Sequence, residues 1–164
     1  NTVDRLPEGI KNSKKAVAET MENNVRKAIV VQQQQNPKFF KKMSDLLDEI
    51  IESRKEDSGK YKEHLKQIEE LIKILDNPTS TEKYPEKITT KGLVSLYDNL
   101  EKNEGVASKL HSKIKSEVAE GWRGNRMKEK AVKIIIKNTL QESSITDEET
   151  IEKIFQIVSN QDEY

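Results

Sequence analysis

The residues best suited to chemistry lie between positions 121 and 137. Gly121-Trp122-Arg123-Gly124-Asn125-Arg126 sets the only tryptophan between two of the six glycines, and a lysine-rich stretch, Met127 to Lys137, follows it. Six basic side chains, Arg123, Arg126, Lys128, Lys130, Lys133 and Lys137, face one acid, Glu129. An indole beside a guanidinium at the start of a helix is equipped to hold a phosphate or a carboxylate-rich protein surface, because free N–H groups, the helix dipole and the guanidinium fork all favour an anion there. The same residues also suit packing, with Trp122 filling a gap between helices, Arg123 holding loop carbonyls and Asn125 capping the next helix. The candidate partner- or DNA-binding residues are Trp122, Arg123, Asn125, Arg126, Lys128 and Lys133.

Catalytic patterns are missing from the chain. It has no glycine-rich loop ending in Lys-Ser or Lys-Thr to cradle a nucleotide phosphate, and no Glu-x-Lys triplet of the kind nucleases use beside acidic metal ligands. Without cysteine there is no thiolate nucleophile, thiolate metal site or disulfide, which fits a reducing cytoplasm. His64 and His111 lack a His-x-x-x-His partner and fall in charged stretches, so both are expected on solvated surfaces. Glu69-Glu70 and Glu148-Glu149 are helical neighbours that diverge by about 100 degrees and do not converge on a substrate. Glu22 to Arg26 and Glu69 to Lys73 have the spacing of exposed helical ion pairs. No catalytic residue and no metal ligand is predicted.

The elements that must carry these residues read as helices throughout. Val17, Met21, Val25 and Ile29 recur every four residues and predict a helix from about Ser13 to Gln33, with Asn23-Asn24 in its middle either exposed or in a buried amide contact. Asn36 then caps and Pro37 starts a helix to about Glu56, with Phe40, Met43, Leu46, Leu47, Ile50 and Ile51 inward and Phe39 displaced around the helix, either exposed as a partner anchor or capping the edge of the bundle. A third helix, about Lys60 to Leu75, shows Tyr61, Leu65, Ile68, Leu71, Ile72 and Leu75, and should pair antiparallel with the second. Pro78 and Pro85 around Thr79-Ser80-Thr81 interrupt the pattern.

Four more helices follow. The first starts at Thr89 or Thr90 with Leu93, Leu96, Tyr97 and Leu100 inward; the next runs from Asn103 toward Gly121 with Val106, Leu110, Ile114 and Val118. The basic helix spans Arg126 to about Leu140 with Val132, Ile135, Ile136 and Leu140 inward, and Thr146 with Glu149 reads as a capping box before Ile151, Ile154, Phe155 and Val158. The fold class is thus all-α, about seven amphipathic helices in two packed lobes with no sheet. The divisions are a tail over 1–12, a three-helix lobe over 13–76, a linker over 77–88 and a four-helix lobe over 89–164.

Composition agrees with thin cores. Of 164 residues, 33% are hydrophobic and 35% charged, against roughly 45–50% (glycine included) and 25% in an average soluble domain. With 29 basic and 29 acidic side chains the whole-chain field favours neither nucleic acid nor an anionic membrane, so any such site must be local. No signal-peptide pattern or membrane-spanning apolar run is present, and no membrane partner is predicted. The chain opens at Asn1 and reaches its first methionine at Met21, which reads as a piece of a larger protein; processing or a tag scar would look the same.

Several stretches together carry a family likeness: Ala16 to Lys27 with its Val25-Arg26-Lys27, Asn36-Pro37-Lys38-Phe39-Phe40, Leu96-Tyr97-Asp98-Asn99-Leu100, and Trp122-Arg123-Gly124-Asn125. Across most of residues 14 to 140 the chain resembles the C-terminal helical region of type I restriction enzyme R subunits. It departs from the family pattern at Gly121, where an acidic residue is expected and Glu120 stands one place early. The resemblance implies a parent subunit that is an ATP-driven DNA translocase and endonuclease using ATP and Mg²⁺, with this region docking it onto the methyltransferase and specificity subunits. The implied partners are those subunits, the motor domains of the same chain, and DNA through the whole complex. Direct contact with the DNA backbone, and a generic helical adaptor unrelated to restriction, are the alternatives.

Overall fold

The computed structural model describes residues 13–80 and 84–164; the tail expected over 1–12 lies outside them, as do residues 81–83 of the expected linker. Seven α-helices run in chain order through the described residues, which contain no strand: α1 Lys14–Gln32, α2 Pro37–Glu56, α3 Tyr61–Asp76, α4 Lys91–Asn99, α5 Glu104–Glu117, α6 Arg126–Glu142 and α7 Glu148–Ser159. None is long and apolar enough to cross a membrane.

The chain divides into two compact units. In its described part the first holds residues 13–33 and 40–80, and the second holds 34–39 and 84–164. Residues 34–39, expected with the first lobe, thus belong to the second, and so do residues 84–88, expected in the linker. Ile88 is buried in the second unit's core, a role that no period could reveal in a stretch bounded by Pro85 and the next helix.

In the first unit, Ser13 Oγ accepts from the Ala16 N–H to start α1, which buries Val17, Ala18, Met21, Val25 and Ile29 and leaves Asn23 and Asn24 exposed. Helix α3 buries His64, Ile68 and Leu71 and packs on α1. Between α2 and α3 a groove of about 310 Å³ opens, lined by Leu46, Ile50, Leu71 and Ile74 with Glu49 and Glu70 among them. Leu65, Ile72 and Leu75, expected inward, are half-buried. The inward line of α3 has rotated to take in His64, because the α1 surface it meets carries Glu22 as well as apolar side chains.

In the second unit each helix start has its own acceptor. Thr90 Oγ1 takes the Leu93 N–H, Asn103 Oδ1 that of Val106, Asn125 Oδ1 that of Lys128 and Asp147 Oδ2 that of Thr150. These side chains satisfy N–H groups that the helix itself cannot, each typically worth about 1 kcal/mol. The last cap is Asp147 and not the expected Thr146: the carboxylate also holds the Thr150 hydroxyl, which a threonine one residue earlier does not do. Helix α5 stops at Glu117, ahead of the expected Gly121, and its following residue, Val118, is extended and packs against the core. The core itself comprises Leu96, Ala107, Leu110, Ile114, Ile136, Leu140, Ile154 and Val158, with Trp122 among them.

Phe39, expected off the apolar face, is buried and not an exposed anchor, and Phe40 is buried as expected. The two adjacent aromatics fall in different units, so a single helical face could not describe both.

Candidate interaction surface on the basic helix

Residues 118–125 form the loop before α6, and two glycines shape it. Gly121 and Gly124 have φ of +65° and +77°, values that a side chain makes costly. Between them Trp122 turns inward, 2% exposed, with its Nε1–H donating to the Tyr164 carbonyl at 3.2 Å and its ring edge-on to Phe155. The Arg123 guanidinium lies 4.6 Å from the Trp122 ring centre. It donates to Ser159 O at 2.9 Å, Tyr164 O at 3.1 Å and Val158 O at 3.4 Å, and to Gln161 O as well. Val158 and Ser159 end α7, where carbonyls lack intrahelical donors, so a planar, permanently charged fork completes that helix end.

The remaining candidates divide in the same way. Asn125 caps α6, while Glu129 reaches back to accept from the Gly124 N–H at 2.8 Å. Lys128 Nζ donates to the Glu120 carbonyl at 3.1 Å, so the early glutamate meets the loop through its backbone. Lys133 pairs with Glu152 at 3.5 Å and lies 4.5 Å from the Phe155 ring centre. Of the six candidates, only Arg126 projects without a hydrogen bond or ion pair among the described residues.

Four neighbours outside the six candidates share its face. Met127 is 85% exposed and Ile134 49% exposed, and Lys130 and Lys137 are exposed with no ion-pair partner among the described residues. At about 100 degrees per residue, positions 126, 137, 130, 134 and 127 fall in that angular order within roughly one quarter of the helix circumference. The signal was present in sequence: Met127 and Ile134 lie off the stripe made by Val132, Ile136 and Leu140, which is buried. Beside this face a groove of about 220 Å³ runs between α6 and α7, floored by Ile151 and edged by Lys130, Lys133, Lys137, Glu148 and Glu152.

Both histidines depart from expectation. His64 is 3% exposed, and its Nε2 stands 3.2 Å from Glu22 Oε1, an electrostatic contact without the alignment of a good hydrogen bond. Glu22 is meanwhile held bidentate by Arg54, with Nε at 2.6 Å and Nη2 at 3.1 Å. Burial lowers the His64 pKa from 6.5 and outweighs the opposing attraction of Glu22. The hydrogen bonds that Arg54 donates to Glu22 raise the Arg54 pKa. Glu22 therefore does not pair with Arg26, which reaches Asp48 instead, and no Glu69–Lys73 pair forms among the described residues. His111 is half-buried, with Nδ1 2.5 Å from the Tyr164 hydroxyl and Nε2 3.9 Å from Glu163, and burial lowers its pKa too. Among the described residues no group of three or more acidic, histidine or cysteine side chains could hold a metal ion.

A second polar network holds the second unit together. The Asn36 amide donates to Asp98 at 2.9 Å, and its Oδ1 accepts from Asn99 at 2.7 Å while capping α2 through the Phe39 N–H. The Tyr84 hydroxyl donates to Asp98 at 3.0 Å, and burial followed by the Asp98 charge raises its pKa well above the usual range. Gln161 donates to Gln35 O and to Ser95 Oγ. Comparison with known protein families, curated proteins and solved structures finds no match to this chain.

Proposed function

We propose that the chain is a noncatalytic assembly module of the R subunit of a type I restriction-modification system, docking the translocase and endonuclease onto the methyltransferase-specificity core. The observation that carries this proposal is the outer face of α6, where Arg126, Met127, Lys130, Ile134 and Lys137 stand exposed, the three cations without a partner among the described residues, on a helix whose opposite face is fixed in a core. A mixed apolar and basic face on a rigid element suits a protein contact. The segments that carry the family likeness also support it. Asn36 binds Asp98 and Asn99, and Trp122 and Arg123 bind residues 158–164, so the shared residues are ones a fold needs in order to form. ATP and Mg²⁺ would belong to the motor and nuclease parts of the parent, with no residue here assigned to them.

Contact with the DNA backbone is the second reading, favoured by the row Arg126, Lys130, Lys133 and Lys137 along one side of α6. Glu148 and Glu152 edge the same groove and would repel phosphates, which ranks this reading below the first. Gel filtration of the chain with its cognate methyltransferase-specificity complex, with and without duplex DNA, separates the two. Docking predicts co-elution without DNA that Arg126→Glu weakens. A duplex contact predicts binding to DNA alone that falls steeply with salt, because each neutralised phosphate releases counterions.

A further inference from the structure

Building on the docking role, we infer that the outer face of α6 receives an acidic amphipathic helix from the partner protein. Met127 and Ile134 are seven residues apart, two turns and about 10 Å along one face, which is the spacing at which a second helix presents apolar side chains. Arg126, Lys130 and Lys137 flank that apolar pair over about 16 Å and have no carboxylate partner among the described residues. Lys133 is already neutralised by Glu152.

A partner helix of three or more turns would lay leucine-like side chains on Met127 and Ile134 and turn its glutamates toward Arg126, Lys130 and Lys137. Glu148, across the groove, would take a basic residue at the helix's far edge and so set its direction. Nucleic acid fits this face less well, since a phosphate backbone gains nothing from Met127 and Ile134 and meets Glu148 and Glu152. Those carboxylates weigh equally against an anionic bilayer.

The test uses the full chain and a fluorescein-labelled peptide of about four turns, with leucines seven apart flanked by glutamates. The controls are the same peptide with lysines in place of the glutamates, a duplex DNA, and phosphatidylserine vesicles. The acidic peptide should bind at least tenfold tighter than the lysine peptide, and Met127→Glu/Ile134→Glu and Arg126→Glu/Lys130→Glu/Lys137→Glu should each weaken it tenfold or more while leaving the circular dichroism unchanged. Equal binding of the two peptides, indifference to both variants, or preference for DNA or vesicles would overturn the inference. The cognate core is then titrated against the same proteins. If the core binds wild type and both variants alike, docking stands and this surface assignment falls. If the acidic peptide prefers the face while the core binds nothing, the surface stands and the docking role falls.

Discussion

At the scale of single residues, Arg123 and Arg126 show how little formal charge says about purpose. They stand three apart in the same basic segment, yet among the described residues one is spent on four backbone carbonyls and the other on none. Lysine can replace a projecting charge but not a planar fork that spans several acceptors. Arg123→Lys should therefore cost about 1 to 2 kcal/mol, whereas Arg126→Lys should stay within about 0.5 kcal/mol of wild type. Urea unfolding of both variants checks this, and equal midpoints would show that the Arg123 hydrogen bonds contribute little. The capping role of Asn125 could be read from its place before the helical period, since capping needs only local chain geometry. The partners of Arg123 could not, because Val158, Ser159, Gln161 and Tyr164 lie 35 or more positions away.

At the scale of elements, helix positions follow from apolar periodicity, but helix neighbours follow from polar residues that periodicity ignores. Asn36 and Asp98 link the start of α2 to α4 within the second unit. Asp98 is 6% exposed and receives the Asn36 amide and the Tyr84 hydroxyl. Asp98→Ala would leave the buried Asn36 amide and the half-buried Tyr84 hydroxyl unmatched, at a cost of about 2 to 4 kcal/mol. Tyr84→Phe should cost less, about 1 kcal/mol, because the Asn36 amide still reaches the carboxylate. Thermal melts of the two variants read the difference, and a larger loss for Tyr84→Phe would show that Asp98 is not the centre of the network.

At the scale of the whole molecule, pH dependence comes from two histidines withdrawn from solvent and from a few hydrogen-bonded carboxylates. His64 and His111 are both held below 6.5 by burial, so the folded chain keeps them neutral where the unfolded chain has begun to bind protons. Stability should be fully present above about pH 6.5 and fall as pH drops through the folded values. Glu142, Asp147 and Glu152 have pKa values lowered chiefly by side-chain hydrogen bonds from Lys109, Thr150 and Gln156 respectively, and their stabilising contributions are lost at more acid pH. Thermal midpoints should therefore decline already between about pH 6.5 and 5, and both histidine ring-proton titrations should fall below 6.5. Either histidine titrating above 6.5 would contradict its burial.

The sequence by itself determined the all-α class, the seven helices of the described residues and most of their caps, because apolar spacing and capping are local properties of the chain. Only the tertiary structure decided that His64 is buried beside Glu22, that residues 34–39 belong to the second unit, and that Trp122 turns inward and Arg123 spends its guanidinium on the end of α7 while Arg126, Met127 and Ile134 face out. The physical reason is that a polar side chain's value depends on the partner that meets it, and those partners lie 32 to 126 positions away along the chain.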